Sequence, residues 1–169
     1  MHSVNPPEEE ARMLYLEPSH LETRLEKGEE VVIWDVGLGA ASNAMAVVHQ
    51  LEELAEFKGT VRIVSFETDL DPLKLALKNP SAFPHLKHAA PQAILKTGKW
   101  EGLQGKIKWE LHGSYFENME KVCAPDLIYY DLYSAKTHGE AWLKSNFEKL
   151  IRAGHGKPFK LITYTVSTL

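Results

Sequence analysis

A chain of 169 residues, 44% of them apolar and 25% charged, has the length and composition of one globular unit with one sizeable core. Its net charge of −4 gives no overall attraction for a polyanion, and no apolar run approaches the roughly 20 residues needed to span a bilayer. The single Cys123 excludes an internal disulfide and a cysteine-based zinc framework, and residues 1–10 lack the basic and apolar regions of a secretory signal. A cytoplasmic protein with no membrane partner is expected.

Residues 1–30 read as an entry segment rich in acids (Glu8, Glu9, Glu10, Glu17, Glu22, Glu26, Glu29, Glu30), and residues 31–169 as the core of a single domain. The run 31–36 is continuously apolar apart from Asp35, as expected of a strand covered on both faces. Ala44, Met45, Val47, Val48, Leu51 and Leu54 then recur at helical spacing, with Ser42 or Asn43 placed to cap the helix start. Residues 61–66 form a second strand, and 73–77 a short helix stopped by Asn79-Pro80. The Pro-, Lys- and Gly-containing stretch 81–104 predicts one or two irregular helices. Residues 107–112 alternate like a more exposed strand, 126–130 form a buried one, 141–151 return to helical period before Gly154, and 159–164 form the fifth and last strand. Strands alternating with helices imply a mostly parallel α/β sheet with right-handed crossovers and flanking helices. The chain ends just after that strand, which predicts a truncation that omits a closing helix and hairpin.

The chemistry concentrates where strands end. Asp35-Val-Gly37-Leu-Gly39-Ala-Ala41-Ser42-Asn43 passes from an apolar strand through a glycine-rich turn straight into a helix. Glycines there let backbone N–H groups approach a ligand that a side chain would block. The dinucleotide pattern G-x-G-x-x-G is not met, because Ser42 stands at its sixth position. Glu67 ends the second strand, where an acid can take a ribose diol or cap the next helix. Asp131 ends the strand 126–130, where it can accept a hydrogen from an amine nucleophile and carry the charge of a cationic product, or else cap a helix. These strand ends point to S-adenosylmethionine and to methyl transfer.

Other candidates carry less. His85 and His88, three apart and without a third ligand, read as a surface pair rather than a metal site. Lys87, Lys96, Lys99, Lys106 and Lys108 form either a solvated face or a phosphate-binding patch. Trp100 and Trp109 flank them and either pack or stack on a base, with packing the commoner outcome. Tyr129 and Tyr130 are expected in the core, and nothing near Cys123 activates its thiol.

Longer segments carry a specific resemblance. His2-Ser3 with Glu9-Glu10-Ala11-Arg12-Met-Leu-Tyr15-Leu16, the glycine turn 37–43, Val64-Ser-Phe-Glu67, Asp131-Leu-Tyr133-Ser134-Ala-Lys136-Thr-His-Gly-Glu140-Ala-Trp142 and Leu161-Ile-Thr163-Tyr164-Thr165 follow one another along the chain. Together they resemble the methyltransferase domain of the bifunctional tRNA wobble-uridine modification protein MnmC and its stand-alone relatives. The chain departs from the family pattern at Ala41, Ser114, Ala135, His138 and Gly139. The resemblance implies a Rossmann-like class I methyltransferase fold, S-adenosylmethionine as cofactor, and a tRNA substrate methylated on the aminomethyl group of its wobble uridine. It implies that Asp35, Gly37, Gly39, Asn43, Glu67, Ser114 and Asp131 bind the cofactor. Asp131 and Tyr133 would be catalytic, with Ser134 shaping the acceptor pocket, and no metal is implied. Two alternatives are a methyltransferase acting on another amine or small molecule, and a catalytically silent cofactor-binding module.

Overall fold

The structure, a computed structural model, describes residues 6–54, 56–115, 117, 119–132 and 139–164. Among the described residues six strands form one sheet: β1 (Glu30–Val36), β2 (Thr60–Phe66), β3 (Lys99–Gly102), β4 (Ile107–His112), β5 (Leu127–Tyr130) and β6 (Lys160–Thr163), in the spatial order β3-β4-β2-β1-β5-β6. All neighbours run parallel except β3, which pairs antiparallel with β4. The fold is thus the expected Rossmann-like, doubly wound sheet, and its order reverses between β1 and β5.

Alternation explains the two cores. Val31 and Ile33 of β1 join one apolar cluster, whereas Val32, Trp34 and Val36 join the other, on the opposite face. Helix α4 (Ser42–Glu53) contributes Ala44, Met45, Val47, Val48 and Leu51 to the first cluster, and α7 (Lys144–Ala153) contributes Leu150 and Ala153 to the second. Two short helices, α5 (Asp71–Leu77) and α6 (Ala89–Thr97), sit in the crossover after β2. Among the described residues no helix is long and apolar enough to cross a membrane.

The entry segment is helical: α1 (Pro7–Ala11), a π-helical turn Arg12–Leu16, α2 (Glu17–Ser19) and, after left-handed His20, α3 (Leu21–Glu26). Glu8 pairs with His49 and Arg12 with Glu53, which holds α1 along α4. The wide π turn leaves Tyr15 and Leu16 buried beneath it. At the amino end of β5, Asp126 accepts from Val32 N at 2.9 Å, from Arg24 Nη2 of α3 at 2.8 Å and from Lys157 Nζ at 2.9 Å. Burial alone would raise its pKa, but these donors hold the carboxylate below its ordinary range.

Several expectations need correction. The strand β3 was not foreseen, so the strand expected at 159–164 is the sixth among the described residues and not the fifth. Lys99, Glu101 and Gly102 dilute its pattern, and its turn to β4 uses left-handed Leu103 and Gln104, residues that do not announce a turn. Neither Ser42 nor Asn43 caps α4; the N-cap is Ala41, at φ 60°, with no side-chain cap. His85 and His88 are not a surface pair: His85 is 2% exposed, and His88 caps α6 through Ala90 N and meets Glu52 at 3.2 Å. Trp109 is buried and donates to Ser65 Oγ at 2.9 Å, and Trp100 is half-buried and packs edge-on against His88, so packing is the outcome for both. The five lysines are exposed and scattered over α6, β3, β4 and their flanks, with Lys106 donating to Phe57 O at 2.6 Å. Tyr129 and Tyr130 lie in the core as expected.

Candidate functional site

Three backbone hydrogen bonds stitch four strand ends into one rim. Glu67 N donates to His112 O at 3.0 Å, Gly37 N to Phe66 O at 3.0 Å, and Asp131 N to Val36 O at 2.9 Å. The carboxyl ends of β4, β2, β1 and β5 therefore carry Ser114, Glu67, the glycine turn and Asp131 side by side. This is the crevice in which doubly wound sheets place ligands, at the point where strand order reverses.

The turn after β1 is built on close approach. Gly37 has φ +95°, and a Cβ there would lie 2.8 Å from the backbone oxygen of Asp131. Gly39, at φ +52°, faces open space, and its N–H donates to Glu67 Oε2 at 3.3 Å. Gly37→Ala should therefore lower the melting temperature by about 4–10 °C, since a left-handed alanine and the shifted Asp131 backbone together cost roughly 2–3 kcal/mol. Gly39→Ala, with room for its methyl group, should cost clearly less in the same thermal melt. Equal melting of Gly37→Ala and the native chain would contradict the close approach.

Asp131 is held on the rim by two side-chain donors. Its Oδ1 accepts from Tyr15 Oη at 2.8 Å and its Oδ2 from Asn43 Nδ2 at 2.9 Å. The residue is exposed at the mouth of the crevice. Protein around the carboxyl nonetheless raises its pKa by desolvation, while the donors Tyr15 and Asn43 pull it back and Glu10 adds to the rise. Water on the open side limits how far that rise can go. Tyr15 is shifted upward in turn, by burial first and then by the charge and hydrogen bonding of Asp131.

Glu67, 6% exposed, accepts from Thr68 N at 2.8 Å, Asp69 N at 3.0 Å and Tyr115 Oη at 2.6 Å, all on Oε1. Its Oε2 reaches toward the turn through the longer contact with Gly39. Burial, followed by the bond to Glu67, pushes the Tyr115 phenol up to about 12. Asp35 lies deeper than the sequence suggested. It is 1% exposed beneath the turn, its Oδ2 accepts from Ser65 Oγ at 2.7 Å, and its Oδ1 is buried without a hydrogen-bond partner among the described residues. Desolvation pushes Asp35 up to about 7, against the Ser65 bond and helped by the charges of Asp131 and Glu67.

Asp35, Gly37, Gly39, Asn43, Glu67, Ser114 and Asp131 are thus brought to one edge, with Asp35 as floor rather than wall. Tyr133 and Ser134 lie outside the described residues. Three participants were given no part in the site from sequence, His85 having been read as half of a surface pair and Tyr15 quoted only for its resemblance. Tyr15 arrives from a helix 116 positions away, Tyr115 follows Ser114 in the loop after β4, and His85 supports the turn from below. No group of three or more His, Cys, Asp or Glu side chains suited to a metal ion occurs among the described residues.

No family model and no curated protein matches the sequence. Among solved structures the chain is similar to MnmC2 from Aquifex aeolicus, with a TM-score of 0.66 and 19% identity over 90% of this chain and 49% of that one. The rRNA methyltransferase AviRa from Streptomyces viridochromogenes also matches, at a TM-score of 0.45 and 18% identity over 87% of this chain and 68% of that one. The chain spans about half the length of the Aquifex protein. The Aquifex likeness shows a shared fold of the class I methyltransferase type.

Proposed function

We propose that this chain is an S-adenosylmethionine-dependent methyltransferase domain that methylates the aminomethyl group of a modified tRNA wobble uridine. The observation that carries the reading is the Tyr15–Asp131–Asn43 arrangement: a carboxylate held by two donors, open to solvent, one backbone contact from the glycine turn and one strand from Glu67. The residues fit the cofactor in shape and charge. The open face at Gly39 leaves backbone room for a ligand, and Glu67 and Asp131 supply negative charge for a ligand bearing a sulfonium and an ammonium. S-adenosylmethionine supplies, when bound, a methyl group on an electrophilic sulfur.

The chain's own residues then have distinct tasks. Gly37 and Gly39 admit the methionine portion, Glu67 offers carboxylate oxygens to a ribose diol, and Ser114 lies on the rim for the adenine. Asn43 commits its amide to Asp131 and so helps to aim that carboxylate. Asp131 accepts a hydrogen from the acceptor amine and orients its lone pair. A free alkylamine is largely protonated near neutral pH, with a reference pKa of about 10, and a carboxylate beside it also balances the charge of the alkylated product. Tyr133 and Ser134 are assigned to the acceptor pocket through the MnmC resemblance, as is the tRNA substrate. A cytoplasmic site of action follows from that substrate.

The test has two stages. Calorimetric titration with S-adenosylhomocysteine is expected to give saturable one-to-one binding; none would remove the methyltransferase reading. Incubation with labelled S-adenosylmethionine and tRNA carrying an unmethylated aminomethyl uridine is then expected to label the tRNA. Label appearing on small amines and never on tRNA would keep the cofactor and replace the substrate.

A further inference from the structure

Among the described residues His85 is the one buried imidazole, and the reaction itself does not explain its placement. It sits in the turn Pro84–Leu86, 2% exposed, with Nε2 3.0 Å from the carbonyl oxygen of Ala40 and 3.5 Å from Ser42 Oγ. A carbonyl oxygen can only accept, so Nε2 carries the proton. Its other nitrogen, Nδ1, is buried without a hydrogen-bond partner among the described residues. An unpartnered nitrogen in the core is costly, so the bond at the other end of the ring must be worth keeping.

What that bond holds is one peptide plane. The Ala40–Ala41 peptide is pinned at both ends: its N–H, from Ala41, donates to Leu38 O at 2.7 Å, and its carbonyl accepts from His85. The pinned orientation forces Ala41, fully buried and bearing a Cβ, into a left-handed φ of 60°. Rotation of this peptide would relieve Ala41, and it would also break the bond to Leu38 O and disturb the first turn of α4, where Met45 N donates to Ala41 O at 2.9 Å. Phe83 closes the ring in edge-on, at 6.1 Å between centroids.

We propose that His85 is a positioning residue for the cofactor turn, keeping the Ala40–Ala41 peptide in the orientation that sets the end of the glycine turn and the first turn of α4, with Asn43, against the crevice. The ligand named in this inference rests on the S-adenosylmethionine reading; the peptide orientation does not.

The experiment pairs two variants with two readouts. His85→Phe keeps the ring and loses the donor, whereas His85→Gln places an amide donor near the position of Nε2. S-adenosylhomocysteine should bind His85→Phe about tenfold more weakly than the native chain, and His85→Gln within about threefold. Hydrogen exchange at the Ala41 and Met45 amides should speed up by a similar factor in His85→Phe while exchange at Ile33 and Val64 in the sheet stays unchanged. Acceleration everywhere would mean a general packing role and overturn the proposal, as would native exchange at Ala41 in His85→Phe. If the native chain fails to bind the nucleoside, the methyltransferase reading falls, and the exchange data still judge His85. Should His85→Phe not fold, the imidazole ¹⁵N spectrum of the native protein decides: an Nε2–H tautomer is expected, and an Nδ1–H tautomer would overturn the assignment.

Discussion

Asp131→Asn is expected to lower methyl transfer about 10²- to 10⁴-fold while S-adenosylhomocysteine affinity stays within about threefold of native. The substitution is nearly isosteric, so Tyr15 Oη and Asn43 Nδ2 still have an amide oxygen or nitrogen beside them, and the rim hydrogen bond from residue 131 N to Val36 O is a backbone contact that does not change. What disappears is the negative charge that accepts an amine hydrogen and offsets a forming cation. Tyr15→Phe, which removes one of the two donors and leaves the charge, should lose about tenfold in the same assay. A native rate in Asp131→Asn would reduce this carboxylate to a structural tie between the entry helix and α4, and the acceptor amine would need another partner. Initial rates with saturating cofactor, read beside the calorimetric Kd, separate these outcomes.

How far the sequence alone reached can be judged from particular residues. β1 was legible because a strand covered on both faces must be apolar at every position, and 31–36 is apolar everywhere except Asp35. The glycine turn was legible because close approach to Asp131 tolerates no side chain at Gly37. Glu67 and Asp131 could be placed on one edge because parallel strands bring their carboxyl ends together. β3 was not legible: four residues, two of them charged and one glycine, carry too little alternation, and an antiparallel pairing depends on its neighbour more than on itself. Tyr15 was quoted for its resemblance, yet its bond to Asp131 spans 116 positions and depends on a π turn, which has no period of its own to detect. His85 was misread because spacing reveals only that two histidines share a helix face. It cannot reveal that the intervening chain forms a tight turn that sends one ring into the core and the other to a cap.

Asp35→Asn should remove a fall in stability that the native chain suffers as pH rises. Ser65 on β2 donates to Asp35, Trp109 on β4 donates to Ser65, and Tyr129 lies directly across from Asp35 on β5. Tyr15 of the entry helix senses its charge, and Asp131 and Glu67 on the rim repel it. No group in that set supplies a positive charge. In an unfolded chain an aspartate titrates near 3.9, whereas in the folded chain Asp35 is pushed up to about 7. Between those values the folded state binds the extra proton, so the contribution is complete below about pH 4 and is lost as pH rises through about 7. From about pH 5 to pH 8 the native chain should lose roughly 2–3 kcal/mol from this group alone. The asparagine variant keeps an oxygen for Ser65 and has no charge to bury, so the difference between its urea-unfolding free energy and the native one should widen by that amount over the same range. Other carboxylates, Asp131 included, titrate in both proteins and largely cancel from the difference. A difference that stays flat with pH would mean that folded Asp35 is already ionised, and that a cation or water reaches its second oxygen.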